Sequence, residues 1–294
     1  MILELPKLKK EMVSLTFDLM LKNLFEQNRW ALKRFIISVL DLDISEEECD
    51  LRIRKSTLPL TTMEEYAKTV DFNIIINNDL IIDLEINREH FNQVKTRNFV
   101  YLNKIYSLSL SKGEDYHNLN NAKYIGLNLN AIDKTYLKGE ECYVLYEKEL
   151  KKVLIDNYVI ILEYLDYYKR KYYNKDEVLS EKDYWLAALA SSNINELEEI
   201  LSKFLKPHEK LEFLRSVINL SNDDTILTEY EAESLAKLHK DEIYGQGVNE
   251  GRQQGIEKKE VEMIKSMLDN NLEYEVISNV TGKTIEEIKE IENR

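Results

Sequence analysis

The 294-residue chain is poor in the residues that interrupt or staple a fold, with 3 prolines, 8 glycines and 2 cysteines. So few breakers imply long regular elements, helices foremost. Cys49 and Cys142 stand far apart without metal-ligand spacing. A disulfide framework and a structural zinc site are therefore excluded as organising devices, and a reducing compartment fits. No window of about 18 uncharged apolar residues occurs, which excludes a membrane-crossing helix. The opening residues, MILELPKLKKEMVS, lack an apolar stretch of signal-peptide length. A cytoplasmic protein is the expectation.

Positive charge is also scarce: 40 Lys and Arg face 54 Asp and Glu, for a net charge of −14. Phosphate contacts need Lys and Arg, so a surface that binds nucleic acid throughout is excluded. A local basic patch beside an acidic metal site is not. The hydrophobic fraction of 44% suffices for one sizeable core with helical attachments.

Periodicity assigns the elements. Residues 16–40 are expected as one helix, capped by Ser14 or Thr16, with Phe17, Leu21, Leu24, Phe25, Leu32, Phe35 and Ile36 on one stripe. Residues 68–76 and 80–87 suggest a hairpin around Asn77-Asn78-Asp79. A helix over 92–111 and a strand over 123–130 follow, so residues 1–135 form an α/β unit. Residues from about 145 to 245 are expected to be almost entirely helical. Within them, YLDYYKRKYYNKD (164–176) mixes aromatics with Lys and Arg. That mixture suits a nucleic-acid track or, more simply, a helix that buries its rings and solvates its basic tips.

The hairpin carries the chemistry. In VDFNIII, Asp71 and Asn73 face away from Phe72, Ile74 and Ile76; in LIIDLEIN, Asp83, Glu85 and Asn87 face away from Leu80, Ile82, Leu84 and Ile86. The apolar faces must coincide, so paired residue numbers must sum to an even number. A three-residue loop then closes Ile76 against Leu80 and sets Asp71 opposite Glu85 and Asn73 opposite Asp83. Opposed carboxylates repel, and a divalent cation between them removes the conflict. Mg²⁺, or Mn²⁺ in its place, needs hard oxygen ligands and keeps several waters. An amphipathic hairpin with a solvated acidic face shows the same spacing.

These residues resemble the PD-(D/E)XK superfamily, and within it the Rpn family of recombination-promoting nucleases, also described as transposases. The resemblance rests on TFDLMLKNLF (16–25), VDF around Asp71, DLEIN (83–87), RNFVYLNKIYSLSLSKGEDYHNL (97–119) and the late stretch MIKSMLDNNLEYEVISNVTGKTIEEIKEI (263–291). It implies a restriction-endonuclease-like core (helix, β-hairpin, helix, strand) followed by a mostly helical C-terminal half. It also implies a metal-dependent DNA endonuclease linked to recombination or mobile elements, with a catalytically inactive binding or assembly protein as the alternative. Asp71 and Glu85 would hold the metal, with the Ile86 carbonyl as a third oxygen. Asn87 stands where the superfamily has lysine and this family usually glutamine. Asp18 occupies the place of a further acidic ligand, or is a surface aspartate at the positive end of a helix. Arg97 and Tyr101, one turn apart, could hold a phosphate in the lysine's stead or pack at the core's edge. His90, just beyond the acidic strand, could touch a phosphate or water or, more simply, is a solvated loop histidine; the GEDY stretch (113–116) receives no chemistry.

Three regions are expected: a nuclease-like core over 1–145, a helical region over 146–244 and a helical tail over 245–294. Gly247, Gly251 and Gly255 recur every four residues, which gives either a seam for close helix contact or a frayed linker. The last two helices resemble a helix-turn-helix, with Thr284 and Glu287 as a capping box. Glu286, Glu287, Glu290 and Glu292 would repel DNA, which favours a packing or homo-oligomerisation module.

Overall fold

The computed structural model describes residues 5–54, 72–87, 91–109, 115, 123–130, 138–174 and 178–293. Two helices, α1 (Asp18–Gln27) and α2 (Arg29–Val39), open the fold where one was expected. Asn28 causes the break. It leaves the helical region at φ −115° and ψ 67°, and its side-chain amide donates to the Leu24 carbonyl at 2.8 Å. Asparagine competes for backbone groups in this way and so ends helices. Ser14 and Thr16 do not cap α1: Phe17 is the N-cap, without a side-chain bond.

Six strands among the described residues form one sheet in the order β1-β2-β3-β4-β6-β5. They are β1 (Leu51–Arg54), β2 (Phe72–Ile76), β3 (Leu80–Asn87), β4 (Lys123–Asn130), β5 (Glu140–Tyr146) and β6 (Val153–Tyr164). The β2–β3 hairpin has the expected register: Ile76 pairs with Leu80, Asn73 with Asp83 and Phe72 with Leu84. Its loop is tight because Asn77 and Asn78 adopt positive φ, 52° and 65°, which asparagine tolerates better than most side chains. β3, β4 and β6 run parallel. Helix α3 (Phe91–Leu108) lies between β3 and β4 in the chain, as a parallel crossover requires.

β5 and β6 correct the expectation of almost unbroken helix from residue 145. The segment VLIDNYVIILEY is rich in β-branched residues and lies beside β4 as a parallel partner. Its apolar residues come in unbroken runs, VLI and YVIIL, which hide the alternation that marks a half-exposed strand. It runs straight into α4 (Leu165–Asn174) with no intervening turn. Helices α5 (Glu181–Leu189), α6 (Ile194–Leu201) and α7 (Pro207–Ser221) follow. The aromatics of α4 serve packing: Tyr168 and Tyr172 are buried, while Lys169 bonds the Ala190 carbonyl and Lys171 pairs with Asp183 at 3.0 Å.

The two faces of the sheet have different coverings. Phe72, Ile74, Ile82, Leu84, Ile86, Leu127 and Leu129 join Leu21, Leu24, Phe25, Phe35 and Trp185 in the main core. The opposite face, with Ile81, Tyr124, Tyr158 and Ile160, packs against Leu102 and Ile105 of α3. Gly126 makes the second packing close. A Cβ added there would lie 3.3 Å from Leu102 Cδ2.

The chain divides into two compact units, Met1–Tyr230 and Glu231–Arg294. The division falls within α8 (Asp224–Asp269), upstream of the boundary expected at 245. In the second unit, Ile264 of α8, Ile277 of α9 (Tyr274–Thr281), and Ile288 and Ile291 of α10 (Ile285–Glu292) form a small core. Gly282 ends α9 at φ 75°, and Thr284 and Glu287 make the expected capping box. Met263 and Val280 are exposed. Gly245, Gly247, Gly251 and Gly255 lie inside α8, so this stretch is helix and not a frayed linker. A Cβ added at any of them meets no heavy atom within 4 Å.

Candidate active site

The strand register builds the site. Glu85 of β3 lies beside Asn128 of β4, which lies beside Leu162 of β6, itself opposite Glu141 of β5. One step further along the same face come Asn87, Asn130 and Tyr164. One step back, Asn73, Asp83 and Gly126 align. This face is therefore apolar towards the start of the parallel strands and polar towards their carboxyl ends. In open α/β sheets ligands bind at that end.

The polar residues are deeply placed. Asp83, Glu85, Asn87, Asn128 and Asn130 are all buried, Asn87 completely. Buried carboxylates and amides are expensive unless bonded. Arg97, on the α3 face turned to the sheet, donates through Nη2 to Asn87 Oδ1. Asn128 donates to the Gly126 carbonyl at 3.3 Å. Asn130 donates to the carbonyls of Asn128 and Glu163, both at 3.4 Å. Burial, and then the Asp83 carboxylate, push the Tyr158 hydroxyl up to about 12. Lys95 extends this face towards β5, with Nζ 3.2 Å from Glu141 and 2.5 Å from the Tyr143 hydroxyl. Tyr164 donates to the same Glu141 carboxylate at 3.0 Å.

The structure thus brings Glu85, Asn87 and Arg97 to one face. Tyr101 lies half-buried on α3, four residues on from Arg97. Ile86 turns its side chain into the core on the other face. Asp18 is exposed as the first residue of α1, whose buried side chains join the core on that other face. Asp71, His90 and all of GEDY except Asp115 lie outside the described residues. Phe72, next to Asp71 in sequence, pairs with Leu84, next to Glu85. Sequence reasoning put Asp83 on this face without giving it a role, and omitted Asn98, Asn128 and Asn130. The signal for the β4 pair was present in KYIGLNLN, where two asparagines on one strand face alternate with leucines on the other.

Behind the same strand end lies a second titratable group. Glu163 aligns with Leu129 and Glu140 on the core-side face. Its carboxylate is fully buried, 2.7 Å from Lys182 Nζ, and accepts from the Tyr168 hydroxyl at 2.6 Å. Lys182 also reaches Glu140 at 2.5 Å. Burial raises Glu163 to about 7, against the opposing pull of Lys182 and Tyr168. Burial and Glu163 together raise the Tyr168 hydroxyl.

The model of the PD-(D/E)XK nuclease family transposases matches residues 15–245. The chain belongs to this family. Its match spans the sheet, α3 and the helices through α7, and so covers the whole polar face just described. No curated protein and no solved structure matches the chain.

The donor set fits a hard divalent cation. Glu85 supplies a buried carboxylate, and the amide oxygens Asn73 Oδ1, Asn128 Oδ1 and Asn130 Oδ1 are buried without a hydrogen-bond partner. Oxygen-rich surroundings of this kind suit Mg²⁺ or Mn²⁺. Among the described residues no group of three or more His, Cys, Asp or Glu is poised for a metal.

Proposed function

We propose that this nuclease-family chain is a divalent-cation-dependent endonuclease that hydrolyses DNA phosphodiester bonds, in the service of recombination or a mobile element. The observation that carries the reading is the buried Glu85 carboxylate at the carboxyl end of a parallel strand, set among buried amide oxygens. Asp71 and Glu85 would hold Mg²⁺ or Mn²⁺, with the Ile86 carbonyl as a third oxygen. The bound cation supplies polarisation of a phosphate oxygen and a lowered pKa for attacking water.

The chain's own residues do the rest. Asn87 brings no charge to the lysine's position, but its Oδ1 fixes the Arg97 guanidinium. Arg97 then offers positive charge and planar donors where phosphate charge develops. Tyr101, one turn along α3, supplies a hydroxyl donor to a neighbouring phosphate oxygen.

The test is nicking of supercoiled plasmid by purified protein with Mg²⁺. Activity that disappears with EDTA and in Asp71→Ala and Glu85→Gln supports the reading; equal activity in the variants refutes it. One feature favours the alternative of an inactive binding or assembly protein: Asn87 is neutral and already bonded to Arg97. Plasmid left intact by protein that binds the cation would establish it.

A further inference from the structure

Two asparagines of β4 have their amides oriented by their surroundings. Asn128 Nδ2 donates to the Gly126 carbonyl, and Asn130 Nδ2 to the carbonyls of Asn128 and Glu163. A carbonyl partner accepts only, so each amide must present NH₂ to it and turn Oδ1 away. Those oxygens, Asn128 Oδ1 and Asn130 Oδ1, are buried and have no hydrogen-bond partner. Asn98 of α3 is 1% exposed, and neither its Oδ1 nor its Nδ2 is bonded.

A buried acceptor without a partner is costly, and Asn128, Asn130 and Asn98 each leave one. The two β4 oxygens call for a partner that brings hydrogens. The place narrows the choice. Asn128 is the lateral neighbour of Glu85 in the sheet, with strands about 4.8 Å apart. A Mg²⁺ ion usually keeps several waters, whose hydrogens need acceptors. Outer-shell partners of this kind orient a metal site and tune its affinity.

We propose that Asn128, assisted by Asn130, is a positioning residue of the cation site: its amide oxygen accepts from a water bound to the cation held at Glu85. This rests on the cation-dependent reading above.

The test is Mn²⁺ binding to the full chain, followed by the loss of the free-ion electron paramagnetic resonance signal. Circular dichroism and thermal melting monitor folding alongside. Asn128→Ala is expected to weaken Mn²⁺ binding by roughly 10- to 100-fold. Asn128→Asp, of the same shape and with a stronger acceptor, is expected to bind at least as tightly as the parent. Glu85→Gln is expected to abolish binding. If Glu85→Gln loses the ion while Asn128→Ala binds it like the parent, this inference falls and the cation reading stands. If the parent and Glu85→Gln bind equally, the cation reading itself falls. Should Asn128→Ala fail to fold, Asn128→Asp decides alone: binding weaker than the parent's in a folded variant means that the asparagine only packs, and overturns the proposal.

Discussion

Replacing Lys182 by methionine should make the stability of the core depend on pH in a way that the parent does not show. Glu163 is fully buried and faces Lys182 Nζ at 2.7 Å. Its carboxyl titrates near 7 instead of its ordinary 4.5, because burial outweighs the lysine's attraction. A raised carboxyl pKa means that the folded state holds the proton more tightly. In the parent, the related stability is fully present below about 4.5 and is lost as pH rises through about 7. Above that, Glu163 is ionised in both states and the loss stops. Without Lys182 the buried carboxylate has no cation, and its pKa climbs further. The loss then continues at about 1.4 kcal/mol per pH unit, the free-energy equivalent of one pKa unit. Relative to the parent, Lys182→Met should show only a constant offset at pH 6, then a further deficit that widens steadily from pH 7 to pH 9, by on the order of 1 kcal/mol per pH unit. Urea titrations read by the fluorescence of Trp185, buried three residues along the same helix, would measure this. Adding Glu163→Gln to Lys182→Met should flatten the pH dependence. Parallel stability curves for parent and Lys182→Met from pH 6 to 9 would refute the reasoning, because the deficit would then be lost packing and not a stranded charge.

Deleting residues 245–294 removes the small core of Ile264, Ile277, Ile288 and Ile291 whole. Assembly through this tail predicts a smaller species for the truncated protein in sedimentation velocity, with Mn²⁺ binding retained; an unchanged species with weaker DNA binding would make the tail a DNA module. Gly251→Ala adds a methyl group that meets nothing within 4 Å of the chain. It should strengthen α8 by about 1 kcal/mol, read as roughly fivefold slower amide exchange around residue 251. Weakened assembly in the same variant would mean that a second copy packs against the glycine.

What the sequence made legible, it did through local rules. The hairpin register followed from parity of residue numbers and a three-residue loop, and every described pair from Phe72 to Ile76 obeys it. β4 was evident because its apolar alternation is bounded by polar residues on both sides. β6 was not, because its apolar residues come in unbroken runs without alternation, and its end merges with a tyrosine-rich helix. The break at Asn28 depends on one side chain choosing a carbonyl four residues back, inside an otherwise continuous helical stripe. Glu85 and Asn87 could be named in advance because strand spacing puts them on one face. The Asn87–Arg97 contact was not foreseen; the resemblance implied only that Arg97 could hold a phosphate in the lysine's stead. The Glu163–Lys182 pair joins a strand to a helix that follows it in the chain, and nothing in periodicity marks such a partner.

Gly126 sits in the middle of the inward row of β4, where every other position on that face carries tyrosine or asparagine. The missing side chain works as a gauge block for the helix above it. Leu102 rests at 3.3 Å from where a methyl group would be, and Arg97 lies little more than one helical turn upstream on the same rigid rod. A methyl group at residue 126 asks Leu102 to give by a few tenths of an ångström, and whatever part of that shift the helix takes up is passed to the guanidinium that meets Asn87. The gap between helix and sheet is thus a calibrated dimension of the polar face, set by an atom the chain leaves out, and residue 126 is where a drift in that dimension would first be felt.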